Sequence, residues 1–96
     1  MHETEILQKI KEIIRKYLGE EYKIFLFGSR VGDNFQPSSD YDIGIEGPTE
    51  IGIGVLAQIK EELMELPIFQ KIDIVDFASV DKSFYNVAIK NREWIN

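Results

Sequence analysis

Residues 24–47 of this chain read IFLFGSRVGDNFQPSSDYDIGIEG. An apolar run ends abruptly at Gly28-Ser29, and a second apolar run opens with two acids, Asp40 and Asp42, after a turn-rich segment. Like charges this close together repel one another unless a cation lies between them. The pair therefore calls for an explanation beyond packing.

The two apolar runs predict strands at 22–27 and 41–46. The first is apolar on both faces, which is typical of a strand covered on both sides. In the second, successive residues point to opposite faces. The odd positions from Tyr41 to Ile45 are apolar and are expected to face a core. The even positions from Asp40 to Glu46 carry three acids and a glycine.

The Gly-Ser pair decides how the acids are interpreted. Alone, an acidic pair at a strand start is more typical of turn chemistry. Here Gly28 and Ser29 follow a buried strand and precede a predicted helical turn at 29–34, where unpaired backbone N–H groups can face an anion. Gly28 permits close approach, the Ser29 hydroxyl can bond a phosphate oxygen, and Arg30 can add charge-assisted bonds. A phosphate cradle beside paired carboxylates predicts metal-assisted phosphoryl chemistry.

A third carboxylate is expected from the run KIDIVDF at 71–77, the third predicted strand. Asp73 lies between two isoleucines, where an acid is rare unless it has a partner or a function. Asp76 lies on the opposite face and nearer the strand end, so a turn or cap role is the better prediction for it. Asp73 therefore completes the candidate set.

Amphipathic helices are predicted at 5–18, 50–65 and 81–90. Helices alternating with strands predict an α/β or α+β fold, a small mixed sheet flanked by helices. Trp94 is interpreted as closing the core beside the first helix, rather than as an anchor for a partner.

The composition narrows the class of protein. Ninety-six residues predict one domain, residues 1–96. A net charge of −6 argues against binding to nucleic acid, which rests on basic surfaces. The absence of cysteine excludes disulfides, thiolate nucleophiles and cysteine-ligated zinc. No run is long enough to cross a membrane and the first residues do not resemble a signal peptide, so a cytoplasmic location is expected.

These motifs together resemble the signature of the DNA polymerase β-like nucleotidyltransferase superfamily. That signature is Gly-Ser, ten residues, Asp-x-Asp, and a third Asp on a later strand. The short chain resembles the minimal nucleotidyltransferase (MNT) group, and the likeness covers nearly all of it. The matching positions are Gly28-Ser29, Asp40-Tyr41-Asp42 and Asp73.

The resemblance implies transfer of a nucleoside monophosphate from ATP to an acceptor hydroxyl, with release of pyrophosphate. Gly28 and Ser29 would hold the phosphates. Asp40 and Asp42 would bind two Mg²⁺ ions, and Asp73 would bind the metal that activates the acceptor and could serve as its base.

The resemblance also implies a partner. Minimal nucleotidyltransferases often pair with HEPN proteins, small helical RNases, as toxin–antitoxin systems, and some neutralise the toxin by adding AMP to one of its tyrosines. The only histidine here is His2, near the chain start, so this chain does not fit the toxin half.

Three functions stay open at this point. The chain could transfer AMP to a HEPN-type toxin, occlude the toxin without catalysis, or modify a small molecule. The last is disfavoured because such relatives use a further domain to hold the acceptor. If the chain is an enzyme, Asp40, Asp42 and Asp73 should converge, and their mutual repulsion should raise the pKa of at least one of them.

Overall fold

The computed structural model describes residues 1–32 and 35–95. Within those residues, the chain forms three α-helices and four strands. They are α1 (Glu3–Arg15), β1 (Lys23–Phe27), β2 (Tyr41–Glu46), α2 (Ile53–Leu63), β3 (Ile72–Asp76), α3 (Lys82–Ala88) and β4 (Glu93–Trp94), with a short 3-10 turn at Gly28–Arg30.

The strands form a single mixed sheet in the order β3-β2-β1-β4. β1 runs antiparallel to both β2 and β4, whereas β2 and β3 are parallel. Parallel neighbours need a crossover connection, and α2 supplies it here. The predicted fold, a small mixed sheet flanked by helices, is confirmed.

The main core lies between one face of the sheet and helices α1 and α2. The odd positions of β2 lie on this face, as predicted, and Tyr41, Ile43 and Ile45 are fully buried. Isoleucines of α1 at one-turn spacing pack against them, because residues three and four apart share one face of a helix. This packing fixes which way the even positions of β2 must point.

The opposite face of the sheet is covered only in part. An aromatic cluster of Phe25, Phe27 and Phe77 packs there beneath α3. Gly44 lies under it, and a Cβ at this position would collide with the Phe25 and Phe77 rings. The even positions of β2 are therefore packed over at Gly44 and open at the end where Asp42 lies.

Most predicted boundaries agree with the structure to within a few residues. α2 begins at Ile53 rather than near residue 50, because the Ile51 N–H donates to Asp76 Oδ2 (2.8 Å) and keeps the chain out of the helix. The two-residue strand β4 was not predicted. Of the turn predicted at 29–34, the structure shows the 3-10 turn at Gly28–Arg30, and residues 33 and 34 lie outside the described residues.

The interpretation of Trp94 is wrong. It pairs with Phe25 across β1 and β4, and its ring contacts the Phe25 ring at 5.5 Å between centroids. Its side chain is half exposed, on the face of the sheet away from α1. None of the helices in the described ranges combines the length and the apolar character that a membrane span requires.

Candidate active site

Asp42 and Asp73 lie side by side on neighbouring strands. The parallel register of β2 and β3 pairs their Cα atoms. In-register residues of adjacent strands point to the same face, so both carboxylates lie on the face away from α1 and α2. Strand register thus brings Asp42 and Asp73 together, whereas the predicted convergence of all three acids, Asp40 included, is not seen among the described residues.

The Asp42 carboxyl group has a raised pKa. Its burial is the first cause, and the negative charges of Asp73 and then Asp40 add to it. The expected direction is confirmed, although burial outweighs repulsion. Asp42 is the half-buried member of the three, and Asp40 and Asp73 are exposed.

Asp40 stands slightly apart from the pair. Its Oδ1 accepts a hydrogen bond from the Lys71 N–H (3.1 Å), which ties the start of β2 to the chain entering β3. Among the residues described, no three acidic or histidine side chains are arranged as a group that could hold a metal ion. The structure therefore places Asp42 beside Asp73 and keeps Asp40 within electrostatic reach.

The donor set nevertheless suits Mg²⁺. Mg²⁺ prefers oxygen ligands, keeps several waters, and is usually held by one or two carboxylates together with substrate phosphates rather than by a complete protein cage. Two adjacent carboxylates, one of them destabilised first by burial and then by its neighbours' charge, match that requirement.

The Gly-Ser turn is held against the same carboxylates. Phe27, the last residue of β1, pairs with Asp42, so the 3-10 turn that follows begins beside the Asp42 side chain. Gly28 has a left-handed φ of 80°, and a Cβ there would collide with Asp42 Oδ2. Glycine is needed at this position both for its backbone and for its lack of a side chain. Ser29 is exposed next to it.

Arg30 is placed differently from a phosphate ligand. Only 5% of its side chain is exposed. Its Nε donates to Glu3 Oε1 (2.8 Å), one terminal nitrogen donates to the Ser39 carbonyl (2.7 Å), and its guanidinium stacks on the Tyr41 ring. In the structure Arg30 holds the loop between β1 and β2 in place and is not turned toward the carboxylates.

Two other acids near the site have structural partners. Asp76 accepts from the N–H groups of Ile51 and Ala78, which agrees with the cap role predicted for it. Glu46, on the same face as Asp42, accepts from the Tyr85 hydroxyl (2.6 Å) and pairs with Arg92 (3.4 Å). Neither is available as a third ligand.

The residues that position Arg30 and Asp40 were not predicted from the sequence. Glu3 holds Arg30 from the first turn of α1, and the Lys71 N–H holds Asp40. A backbone donor carries no sequence signal, and a glutamate in the first turn of a helix is typical without any tertiary role.

Comparison with known proteins then identifies the family. A model described as polymerase beta, nucleotidyltransferase matches residues 8–96. This chain belongs to the polymerase beta nucleotidyltransferase family. The matched region includes the Gly-Ser turn and the acids of β2 and β3. No curated protein matches the sequence.

Solved structures share the fold at low sequence identity. One is described as a tri-AMPylated HEPN toxin of Shewanella oneidensis in complex with MNT antitoxin. The match has a TM-score of 0.76 and 19% identity over 99% of this chain and 72% of that one. Another is a toxin–antitoxin structure with AMP-PNP, at TM-score 0.75 and 20% identity over 94% and 72% of the two chains. These likenesses support the polymerase beta fold assigned above.

Proposed function

We propose that this chain is a Mg²⁺-dependent nucleotidyltransferase that moves AMP from ATP to a tyrosine hydroxyl of a HEPN-type toxin, and so acts as its antitoxin. The observation that carries the proposal is the in-register pair Asp42–Asp73 beside the Gly28–Ser29 turn. The family match supports the reaction class. The fold neighbour in complex with a tri-AMPylated toxin supports the acceptor.

Different residues of the site would bind the phosphates of ATP and the metal ion. The turn at Gly28-Ser29 presents backbone N–H groups and a hydroxyl to the ATP phosphates. Asp42 and Asp73, with Asp40 within electrostatic reach, would hold Mg²⁺, which neutralises phosphate charge and stabilises the transferring group when bound. Asp73 is the exposed carboxylate on the outer strand, where an acceptor can reach it.

The transfer itself forms one bond and breaks one. The acceptor oxygen bonds to the α-phosphorus of ATP as the bond from that phosphorus to the bridging oxygen breaks, and pyrophosphate leaves. The hydroxyl proton goes to the Asp73 carboxylate, the role of a general base. Arg30 would act as a positioning residue, since it fixes the loop that carries Asp40.

The charge of the chain fits a protein acceptor better than a nucleic acid. Seventeen acids against eleven bases give an acidic molecule. A partner with a basic surface would be steered toward it, and salt would weaken the encounter. A hydroxyl on a basic protein therefore suits this site.

The first test is incubation of the protein with labelled ATP, Mg²⁺ and a HEPN-type toxin, followed by mass spectrometry of the toxin. Asp73→Asn should lower AMP transfer by about 100-fold or more, the usual contribution of a general base. Toxin binding should be unchanged, because asparagine keeps the shape of the side chain. Glu61→Gln, which removes one charge from the exposed side of α2, is the control and should transfer normally.

A second candidate function follows from the arrangement of Asp40. The Asp40 carboxylate accepts a hydrogen bond from the Lys71 N–H, and a cluster of three carboxylates is not preformed in the described part of the chain. This favours an antitoxin that occludes its toxin without catalysis. If Asp73→Asn silences the toxin as fully as the parent protein does, occlusion is the mechanism and the enzymatic proposal fails.

A further inference from the structure

A cavity opens beside the Gly-Ser turn. It lies between the end of β1 and the C-terminal half of α3, and its volume is about 340 Å³. Sites for small ligands are typically clefts of about 300–1,000 Å³ with apolar and aromatic walls and few polar groups. The residues lining this one are Phe27, Gly28, Phe84, Val87, Ala88 and Asn91.

The apolar side chains of this wall are more exposed than packing requires. Val87 is 68% exposed and Phe84 is 42% exposed. No residue of α3 is fully buried, although the helix has a regular N-cap in which Asp81 Oδ1 accepts from the Phe84 N–H. Apolar groups gathered around a cleft are a mark of a binding site rather than of a core.

The cavity meets the proposed phosphate site at Gly28. Gly28 lines the cavity and also lies against the Asp42 carboxylate. A ligand whose phosphates lie on the turn would therefore have the cavity directly beside it, within the reach of the rest of a nucleotide. The lining offers aromatic rings, on which nucleobases stack.

The lining also contains one amide, that of Asn91. An amide carries both a donor and an acceptor, and asparagine can bond adenine in a bidentate manner. We propose that this cavity binds the base of the nucleotide, with the Asn91 amide reading the edge of adenine. The inference rests on the proposed function, because it assumes that the phosphates occupy the Gly-Ser turn.

The test compares ATP with inorganic triphosphate, which has the phosphates and no base. With Mg²⁺ present, calorimetric titration should show ATP binding more tightly than triphosphate, by between about 5-fold and about 150-fold, the range of base–aromatic stacking. Val87→Glu places a charge in the apolar wall at an exposed position. It should remove most of the difference in affinity between ATP and triphosphate. Its affinity for triphosphate should stay within about twofold of that of a control variant that carries the same added charge elsewhere.

Ile53→Glu is the matched control. Ile53 is also an exposed aliphatic residue on a helix, at 89% exposure, but it belongs to α2 on the other side of the sheet. Its substitution should leave both affinities close to those of the parent protein. If Val87→Glu and Ile53→Glu bind ATP equally well, the cavity does not hold the base and the inference is overturned.

Asn91→Leu tests the choice of base. The parent protein should bind ATP more tightly than GTP, CTP and UTP, and the variant should lose that preference while its triphosphate affinity is kept. Equal binding of all four nucleotides by the parent protein would overturn the assignment of Asn91.

The test also separates this inference from the proposed function. If the parent protein binds ATP and triphosphate equally, the base has no site and only the inference fails. If the parent protein binds neither ATP nor triphosphate, the proposed function itself fails.

Discussion

The Asp42 carboxylate influences how the stability of the metal-free protein responds to pH. Its pKa in the folded protein is raised above the ordinary value of 3.8, first by burial and then by the charges of Asp73 and Asp40. Between those two pKa values the folded state binds more protons than the unfolded chain. The free energy of unfolding therefore falls as the pH rises through that window, and the ionised carboxylate remains destabilising above it.

Asp42→Asn should relieve this cost. Without Mg²⁺ the variant should melt at a higher temperature than the parent protein at neutral pH, and the difference should disappear as the pH falls below the ordinary carboxyl pKa. Circular dichroism melting over a pH series measures both. Glu61→Gln controls for the change in net charge. A variant that is less stable at neutral pH would make Asp42 a structural residue and would weaken the proposed site.

Individual residues were predictable where their role follows from strand alternation. The two-residue period alone predicts that Asp42 points away from the buried odd positions of β2, and that Asp73 and Asp76 point to opposite faces of β3. The meeting of Asp42 and Asp73 also requires the parallel register of the two strands. Arg30 was not predictable in this way. Its burial depends on Glu3 and Ser39, which approach it only in the folded chain.

Among the strands, β2 shows how the sheet leaves one end open for chemistry. Gly44 has the Phe25 and Phe77 rings directly above it. Gly44→Ala should therefore destabilise the protein by about 1–3 kcal/mol, the usual cost of overpacking a core, because the rings must shift. Chemical denaturation with urea measures the free energy of unfolding.

Gly54→Ala is the matched control for that prediction. Gly54 lies in the first turn of α2, and nothing is within 4 Å of the position of a Cβ. Alanine should stabilise the helix by up to about 1 kcal/mol, so the same substitution should have opposite signs at the two positions. Two changes of the same sign would show that Gly44 does not lie under a packed cluster.

The long elements were predictable and the short strand was not. Three strands and three helices have enough residues for a period of two or of 3.6 to be visible. Two-residue β4 shows no period, and its place beside β1 depends on Phe25 and Trp94 meeting across the strands. The parallel pairing of β2 and β3 also depends on tertiary contacts. The intervening helix makes this pairing possible but does not specify its register.

At the scale of the whole molecule, Arg30 connects distant parts of the chain. It links the first turn of α1 to the loop before β2 and stacks on Tyr41 in the core. Arg30→Ala should cost about 2–4 kcal/mol, since it removes charge-assisted hydrogen bonds and a cation–π contact. Arg30→Lys should recover less than half of that, because lysine lacks the planar fork. Thermal and urea unfolding measure the loss.

Arg92→Ala is the comparison for Arg30. Arg92 also stacks on two aromatic rings, but its side chain is 22% exposed and its ion pair with Glu46 is longer, at 3.4 Å. Its removal should therefore cost less. A larger loss for Arg92→Ala than for Arg30→Ala would mean that the contacts of Arg92 contribute more to stability than the link made by Arg30, contrary to this prediction.

The helical crossover between β2 and β3 has a consequence for insertions and deletions. The turn after α2 could lengthen at little cost, because the entropy of closing a loop grows slowly with its length. Loss of Ile72, the residue before Asp73, would instead send Asp73 to the face covered by α1 and α2, and would bring Ile74 to its place beside Asp42. The number of residues between the two aspartates is thus free to vary, whereas each aspartate must keep an even or odd position in its strand that points to the open face of the sheet.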